Sequence, residues 1–205
     1  MHTSTLPKNT ESVINNLKGV DYIDSFYLSG GTALALQIGH RESEDLDFFT
    51  QVEFVPQELQ KSLEVLGNLK DVVLDKGTLN CYLDGVQLQF LHYPYKLLNK
   101  KVEWNSVFLS SILDIACTKM ITISARGSRK DFIDIYFLLK QYDLVELFKK
   151  LQDKYSNTDY NLPHILKSLV YFKDAGKEPL PRMHKRFDWK SLEKELIRKT
   201  KEYEI

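Results

Sequence analysis

The pattern of apolar and polar positions changes character about halfway along the chain. Residues 10–19 have helical spacing, and Phe26-Tyr27-Leu28 is a brief apolar strand that stops at Ser29-Gly30-Gly31. The strong helix formers Ala33-Leu34-Ala35-Leu36 follow, with Thr32 placed as their cap. Asp45 to Phe49 reads as a strand, and Pro56 to Asn68 as an amphipathic helix opened by its proline. Three strands are then expected, Val72–Lys76, Leu79–Leu83 and Val86–Leu91, the last two joined by the hairpin pair Asp84-Gly85. From residue 110 onward the spacing is helical in five segments: Ile112–Ser124, Lys130–Gln141, Leu144–Lys154, Leu162–Phe172 and Leu192–Tyr203. Asp174–Trp189, with Pro179 and Pro181, is expected to be irregular. An α+β chain follows, with a mixed sheet and flanking helices in residues 1–105 and a mainly α-helical region, 106–205, packed against them.

Composition narrows this only a little. The 205 residues are 43% hydrophobic and 27% charged, enough for a sizeable core. The formal net charge is zero, so no whole-chain cationic field points to nucleic acid, although Lys167–Lys190 carries a local run that includes Lys173, Lys177, Arg182, His184, Lys185 and Arg186. Such a run is also what a solvated loop looks like. Cys81 and Cys117 lack metal-ligand spacing and read as small buried hydrophobes. The N-terminal MHTSTLPKNT has no apolar signal region and no apolar run approaches a membrane span, so a reducing cytoplasmic setting without membrane contact is the expectation.

The candidate chemistry begins at Gly30-Gly31. Two glycines between a strand and a helix let backbone approach a ligand closely, and a helix start favours phosphate. Plain chain reversal uses the same turn. Asp45 and Asp47, at i and i+2 on a strand, point to one face, where two carboxylates repel unless a cation lies between them. Mg²⁺ suits such a pair. Leu46, Phe48 and Phe49 make this an apolar strand with acid at one end only, unlike a solvated edge. Arg41 and Ser43, just before the pair, have the chemistry to grip a triphosphate, while His40 reads as a ligand, a base or a surface loop residue. Lys119 is embedded in an apolar helical pattern, so it needs a phosphate or carboxylate partner or must snorkel to the surface. Asp131 fits a helix cap, and Asp134, three residues on, can share its face. Tyr93 and Tyr95 can stack on a base or pack under the helical half.

Taken together, strand, Gly-Gly, helix and Asp-x-Asp resemble the signature of the polymerase β-like nucleotidyltransferases. The stretch from Gly30 to Leu36 with His40 to Phe49, and the second block carrying Lys119, Arg126, Gly127, Lys130, Asp131, Phe132 and Asp134, is similar to the AbiEii/AbiGii nucleotidyltransferase toxins. This resemblance covers about residues 25–142. It implies a nucleotidyltransferase-fold sheet and transfer of a nucleoside monophosphate from an NTP to a hydroxyl on RNA (tRNA included) or protein. It also implies Mg²⁺ (or Mn²⁺) on Asp45 and Asp47, and the role of a type IV toxin or abortive-infection protein with a cognate antitoxin. In that scheme Gly30, Gly31, Thr32, Arg41, Ser43, Lys119 and Lys130 bind the nucleotide, and Asp45, Asp47, Asp131 and Asp134 are catalytic. One element is missing. The strand that supplies a third carboxylate in such enzymes has Gln89 in its place, and glutamine can be neither a general base nor a good Mg²⁺ ligand. Asp131 or Asp134 can stand in, one metal can serve at reduced rate, or the protein can bind nucleotide without transferring it.

Overall fold

The computed structural model describes residues 1–20 and 22–204. In chain order its elements are α1 (Lys8–Asn16), β1 (Tyr27–Leu28), α2 (Gly30–Ile38), β2 (Leu46–Thr50), α3 (Pro56–Glu64), β3 (Leu69–Asp75), β4 (Thr78–Leu83), β5 (Val86–His92), β6 (Val102–Trp104), β7 (Val107–Leu109), α4 (Ile112–Ala125), α5 (Arg129–Leu138), α6 (Leu144–Lys154), α7 (Leu162–Ser168) and α8 (Trp189–Glu204). The strands form one seven-stranded sheet in the order β3-β4-β5-β2-β1-β7-β6. β2 lies parallel to β5 and β1 parallel to β7, and the other neighbours run antiparallel. The fold is therefore a mixed sheet with helices around it and helices filling the C-terminal half, in agreement with the hydrophobic pattern.

Local chemistry explains most boundaries. Asp84 and Gly85 both have positive φ, as the tight turn between β4 and β5 demands. Asn105 and Ser106 do the same for β6 and β7, a hairpin the strand pattern did not single out. The 105/106 division drawn from the pattern runs through this hairpin, so the sheet takes its last strand from the helical side of that line. Gly39 ends α2 in the left-handed conformation. Ser111, Ser128, Asp143 and Asn161 cap α4, α5, α6 and α7 with their side chains.

Two of the boundaries that differ from expectation bear on the site. α2 begins at the glycines themselves, after Ser29, and Thr32 is inside the helix rather than its cap. Asp131 is the third residue of α5: the cap is Ser128, whose hydroxyl accepts from the Asp131 amide and donates to its carboxylate.

The core is continuous across both halves. Phe48 on β2 stacks on Phe90 of β5 at 5.1 Å, and the same buried cluster takes in Leu34, Ile115, Phe132 and Leu196. The loop before α8 crosses back over the front half. Its backbone pairs with residues 40–42 through Glu42 N–H to Arg182 O, and His184 and Lys185 N–H to His40 O. Among the described residues no helix is long and apolar enough to cross a membrane.

Candidate functional site

A cavity of about 380 Å³ opens where the start of α2 meets β2, β5 and α4. Gly30, Gly31, Asp47, Gln89, Lys119 and Arg126 supply its polar wall, and Phe49, Leu91 and Tyr93 part of its apolar wall. Asp47 lies next to Gln89 in the parallel β2–β5 ladder, so the neutral amide stands beside the carboxylate, where the sequence placed it. Gly30 has φ +64°, and a Cβ there would run into the Asp47 carboxylate, meeting Oδ2 and, at 3.0 Å, Cγ. Only glycine allows both the backbone angle and that approach. Burial pushes the Asp47 carboxyl above its usual range. Asp45 pushes the same way, while Lys119 and Arg126 partly oppose it. Asp45 precedes the first residue of β2 and lines a separate recess of about 240 Å³ with Gly85 and Gln87. No group of three or more acid, His or Cys side chains is placed to hold a metal among the described residues. The acidic pair stands alone.

Behind the cavity wall lies a sealed cluster of charges. Asp134 is fully buried. Its Oδ1 accepts from Arg41 Nε and His40 Nε2, both at 2.7 Å, and its Oδ2 from Arg41 Nη2 at 2.8 Å and Lys119 Nζ at 2.7 Å. Burial alone would raise the Asp134 carboxyl, but Arg41 and Lys119 hold it well below the ordinary range. Lys119 also donates to Asp131 Oδ1 at 2.8 Å. Burial opposes charge on Lys119, yet Asp134 and Asp131 outweigh it and keep the ammonium charged. Burial lowers the pKa of His40 more than Asp134 raises it. A neutral ring whose Nε2–H faces Asp134 leaves Nδ1 without a partner, as observed.

These positions correct several expectations. Arg41, expected to grip a triphosphate, is 1% exposed with its fork closed on Asp134 and does not line the cavity. His40, expected at the surface of a loop, is fully buried. Thr32 is buried and bonds the Ser43 hydroxyl and the Asp45 carbonyl, which ties α2 to the approach to β2; neither Thr32 nor Ser43 lines the cavity. Asp134 has both oxygens occupied by cations. Asp131 has one on Lys119 and the other on Ser128, with Arg126 Nε at 3.5 Å. Neither aspartate reaches the cavity to replace the missing carboxylate. Lys130 is exposed and lines a different recess with Glu42 and Arg182. Gly31 is shaped by the sealed side: a Cβ there would meet Arg41 Nη2 at 2.6 Å. Tyr93 packs, its hydroxyl bonded to that of Tyr155 and its ring 4.7 Å from Phe49.

A family model described as the nucleotidyl transferase AbiEii toxin of type IV toxin–antitoxin systems matches residues 15–102. An uncharacterized protein of Aquifex aeolicus (strain VF5) is 37% identical over 204 residues, 97% of each chain. The chain belongs to the AbiEii nucleotidyltransferase toxin family. Among solved structures, JHP933 from Helicobacter pylori superposes with a TM-score of 0.58 at 18% identity, covering 96% of this chain and 92% of that one. The nucleotidyltransferase toxin MenT4 (Rv2826c) of Mycobacterium tuberculosis H37Rv does so with 0.58 at 13% identity, covering 94% and 82%. At such identities the likeness establishes the fold.

For an AbiEii-family chain, the geometry singles out one residue that had been noted only as part of the second block. Arg126 follows the last turn of α4, its side chain 71% exposed, on the cavity wall. Its place in the Arg-Gly sequence that ends a helix was the available signal.

Proposed function

We propose that the protein transfers a nucleoside monophosphate from an NTP to an acceptor hydroxyl on RNA or protein, in the cytoplasm, as a growth-inhibiting toxin restrained by an antitoxin. The observation that carries this reading is the close approach of Gly30 to Asp47 at the mouth of a cavity with Lys119 and Arg126 on its wall. In the reaction the acceptor oxygen forms a bond to the α-phosphorus, the bond from that phosphorus to the bridging oxygen breaks, and pyrophosphate leaves. The acceptor proton passes to solvent.

Asp45 and Asp47 fit one Mg²⁺ (or Mn²⁺). Each is a hard oxygen donor, Asp47 on the cavity wall and Asp45 two residues before it, and substrate phosphates and water would complete the shell. The bound cation would neutralise phosphate charge and orient the triphosphate. The chain's own groups do the rest. The first turn of α2, with Gly30 and Gly31, lies along the phosphates. Lys119, bonded to Asp131 and Asp134, also lines the cavity and offers its positive charge to the phosphates. Arg126 adds charge from the rim.

The test is incubation with labelled NTPs, Mg²⁺ and total cellular RNA and protein. Labelling by the wild type that is lost in Asp45→Ala/Asp47→Ala supports transfer; equal labelling by the double variant overturns it. Gln89 beside Asp47 favours a second reading, in which nucleotide is bound without turnover. Mg·NTP would then raise the melting temperature with no product formed, and Gln89→Asp would switch labelling on.

A further inference from the structure

β2 passes the nucleotide cavity at Asp47 and leads, beyond Thr50, to a second recess of a different kind. A cavity of about 270 Å³ lies between the loop that follows β2, the start of α3 and the turn that precedes β1. It shares no lining residue with the nucleotide cavity. Phe26, Phe54 and Leu59 form its floor. Phe26 meets Phe54 edge-on at 5.0 Å and Phe90 at 5.2 Å, and Phe90 stacks on Phe48, so the floor is a face of the rigid core. On the rim stand Tyr22, Val52 and Val55, which are 56%, 64% and 51% exposed. Tyr22 has φ +77°, a costly backbone for a bulky residue. Its carbonyl accepts from the Ser25 amide at 2.9 Å and the Ser25 hydroxyl at 2.6 Å, which fixes the turn with the ring in solvent. Apolar side chains exposed singly need no explanation, but three around an apolar cavity form a patch.

We propose that this cavity is a docking site for a partner polypeptide, whose segment seats one aliphatic or aromatic side chain on Phe26 between flanking lysines or arginines. Charge decides the class of partner. Glu53 and Glu58 are the charged groups on the lining, both exposed, and no lysine or arginine stands beside them among the described residues. The chain as a whole is neutral, so this negative rim is local. It repels phosphate, which disfavours nucleic acid and anionic lipid, and it draws basic side chains. Size points the same way. About 270 Å³ falls below the about 300–1,000 Å³ of sites for drug-sized ligands and suits one anchoring side chain, the arrangement of an interface hot spot. Because the two cavities share no residue, a partner docked here leaves the nucleotide cavity open. The inference goes beyond the nucleotidyl-transfer reading and does not depend on it.

The experiment selects a displayed library of short random peptides on the full chain and measures the selected peptides by fluorescence anisotropy. They are expected to carry Leu, Phe or Trp flanked by Lys or Arg. Tyr22→Ala and the double reversal Glu53→Lys/Glu58→Lys, all at exposed positions, are each expected to weaken their binding about tenfold or more. Val52→Ser repeats the rim test with the turn before β1 left intact. Glu146→Lys on α6, outside the cavity, should leave affinity within about twofold. Selection that enriches nothing, or enriches acidic or uncharged peptides, overturns the proposal. Equal weakening by Glu146→Lys would mean diffuse attraction and overturns it too, as does binding indifferent to both Tyr22→Ala and Val52→Ser. Competition between the selected peptides and Mg·NTP would put them in the nucleotide cavity and remove the docking site. A wild type that sediments as a dimer and becomes monomeric in Tyr22→Ala gives the patch to a second copy of the chain and overturns a separate partner.

Discussion

The open cavity around Asp47 and the sealed cluster around Asp134 are built from the same two sequence blocks, yet their carboxylates behave in opposite ways. Asp47 is raised by burial and by Asp45 without enough positive charge to offset them, whereas Asp134 is held down by three donors closed around it. The first has no cation closed on it among the described residues. The second has its charge consumed by the protein. Lys119 stands between them, bonded to Asp131 and Asp134 on one side and facing the cavity on the other. The Gly30-Gly31 pair divides along the same line, with Gly30 making room for Asp47 and Gly31 for Arg41. Chemical type alone does not separate residues that meet ligand from residues that hold the wall; the number of partners already engaged does.

The largest expected effect comes from removing charge on the sealed side. Asp134→Asn strands Arg41 in the core, leaves Lys119 with Asp131 alone, and should cost about 3–5 kcal/mol, read by urea unfolding at neutral pH. Asp47→Asn is the opposite case. It relieves a carboxylate whose ionisation the fold opposes, so stability should hold or rise while nucleotidyl transfer disappears. Loss of stability in Asp47→Asn equal to that of Asp134→Asn would erase the distinction between the two sides.

Next in size are the glycines. Gly30→Ala imposes a left-handed backbone on alanine and a clash with Asp47, and should cost about 1–2 kcal/mol together with nucleotide binding. Gly31→Ala presses on Arg41 instead, so its cost should shrink when it is combined with Arg41→Ala, a coupling that a double-mutant cycle measures.

A pH series sharpens the contrast further. The folded Asp134 carboxyl lies below its unfolded value, so its contribution is complete above the ordinary aspartate range, about 3.9, and is lost as pH falls below it toward the lowered folded value. The stability gap between wild type and Asp134→Asn should therefore narrow in acid. Asp47, raised on folding, has the other sign: protonation in mild acid removes a penalty, so the wild type should approach Asp47→Asn as pH falls through that raised value. Smallest is Lys130→Ala, at an exposed residue outside both clusters. Stability should stay within about 0.5 kcal/mol and Mg·NTP stabilisation should be unchanged.

Much of this architecture was legible before any coordinates. Alternation and turn chemistry located β4, β5 and the Asp84-Gly85 turn, while it was the family resemblance that marked Gln89, now seen beside Asp47, as the place of the missing acid. An apolar helix with a lysine inside it left Lys119 either a counter-charge or a stem that snorkels to the surface, and the structure supplies the counter-charge. The partners of Arg41 and His40 were not legible, because they sit on Asp134, more than 90 positions away along the chain. Local sequence records that a residue is charged, not which way it faces, so Arg41 read as a phosphate grip. The β6–β7 hairpin escaped for another reason. Its strands are three residues each, too short for alternation to register, and its Asn105-Ser106 turn is a weaker signal than Asp84-Gly85.

The bonds from Asp134 to His40 and Arg41 also bear on how this chain can be cut, recombined or changed over generations. They join the two halves that the hydrophobic pattern separates, and the backbone pairing of residues 182–185 with 40–42 fastens the same junction. A front half expressed by itself would enclose a guanidinium and an imidazole with no anion between them. A hybrid that joins the front of one relative to the rear of another will fold only where both parents keep the matching trio. A change at one of these three positions leaves its partners in the other half buried and unpaired, so the two halves are coupled where the pattern of elements would invite a break.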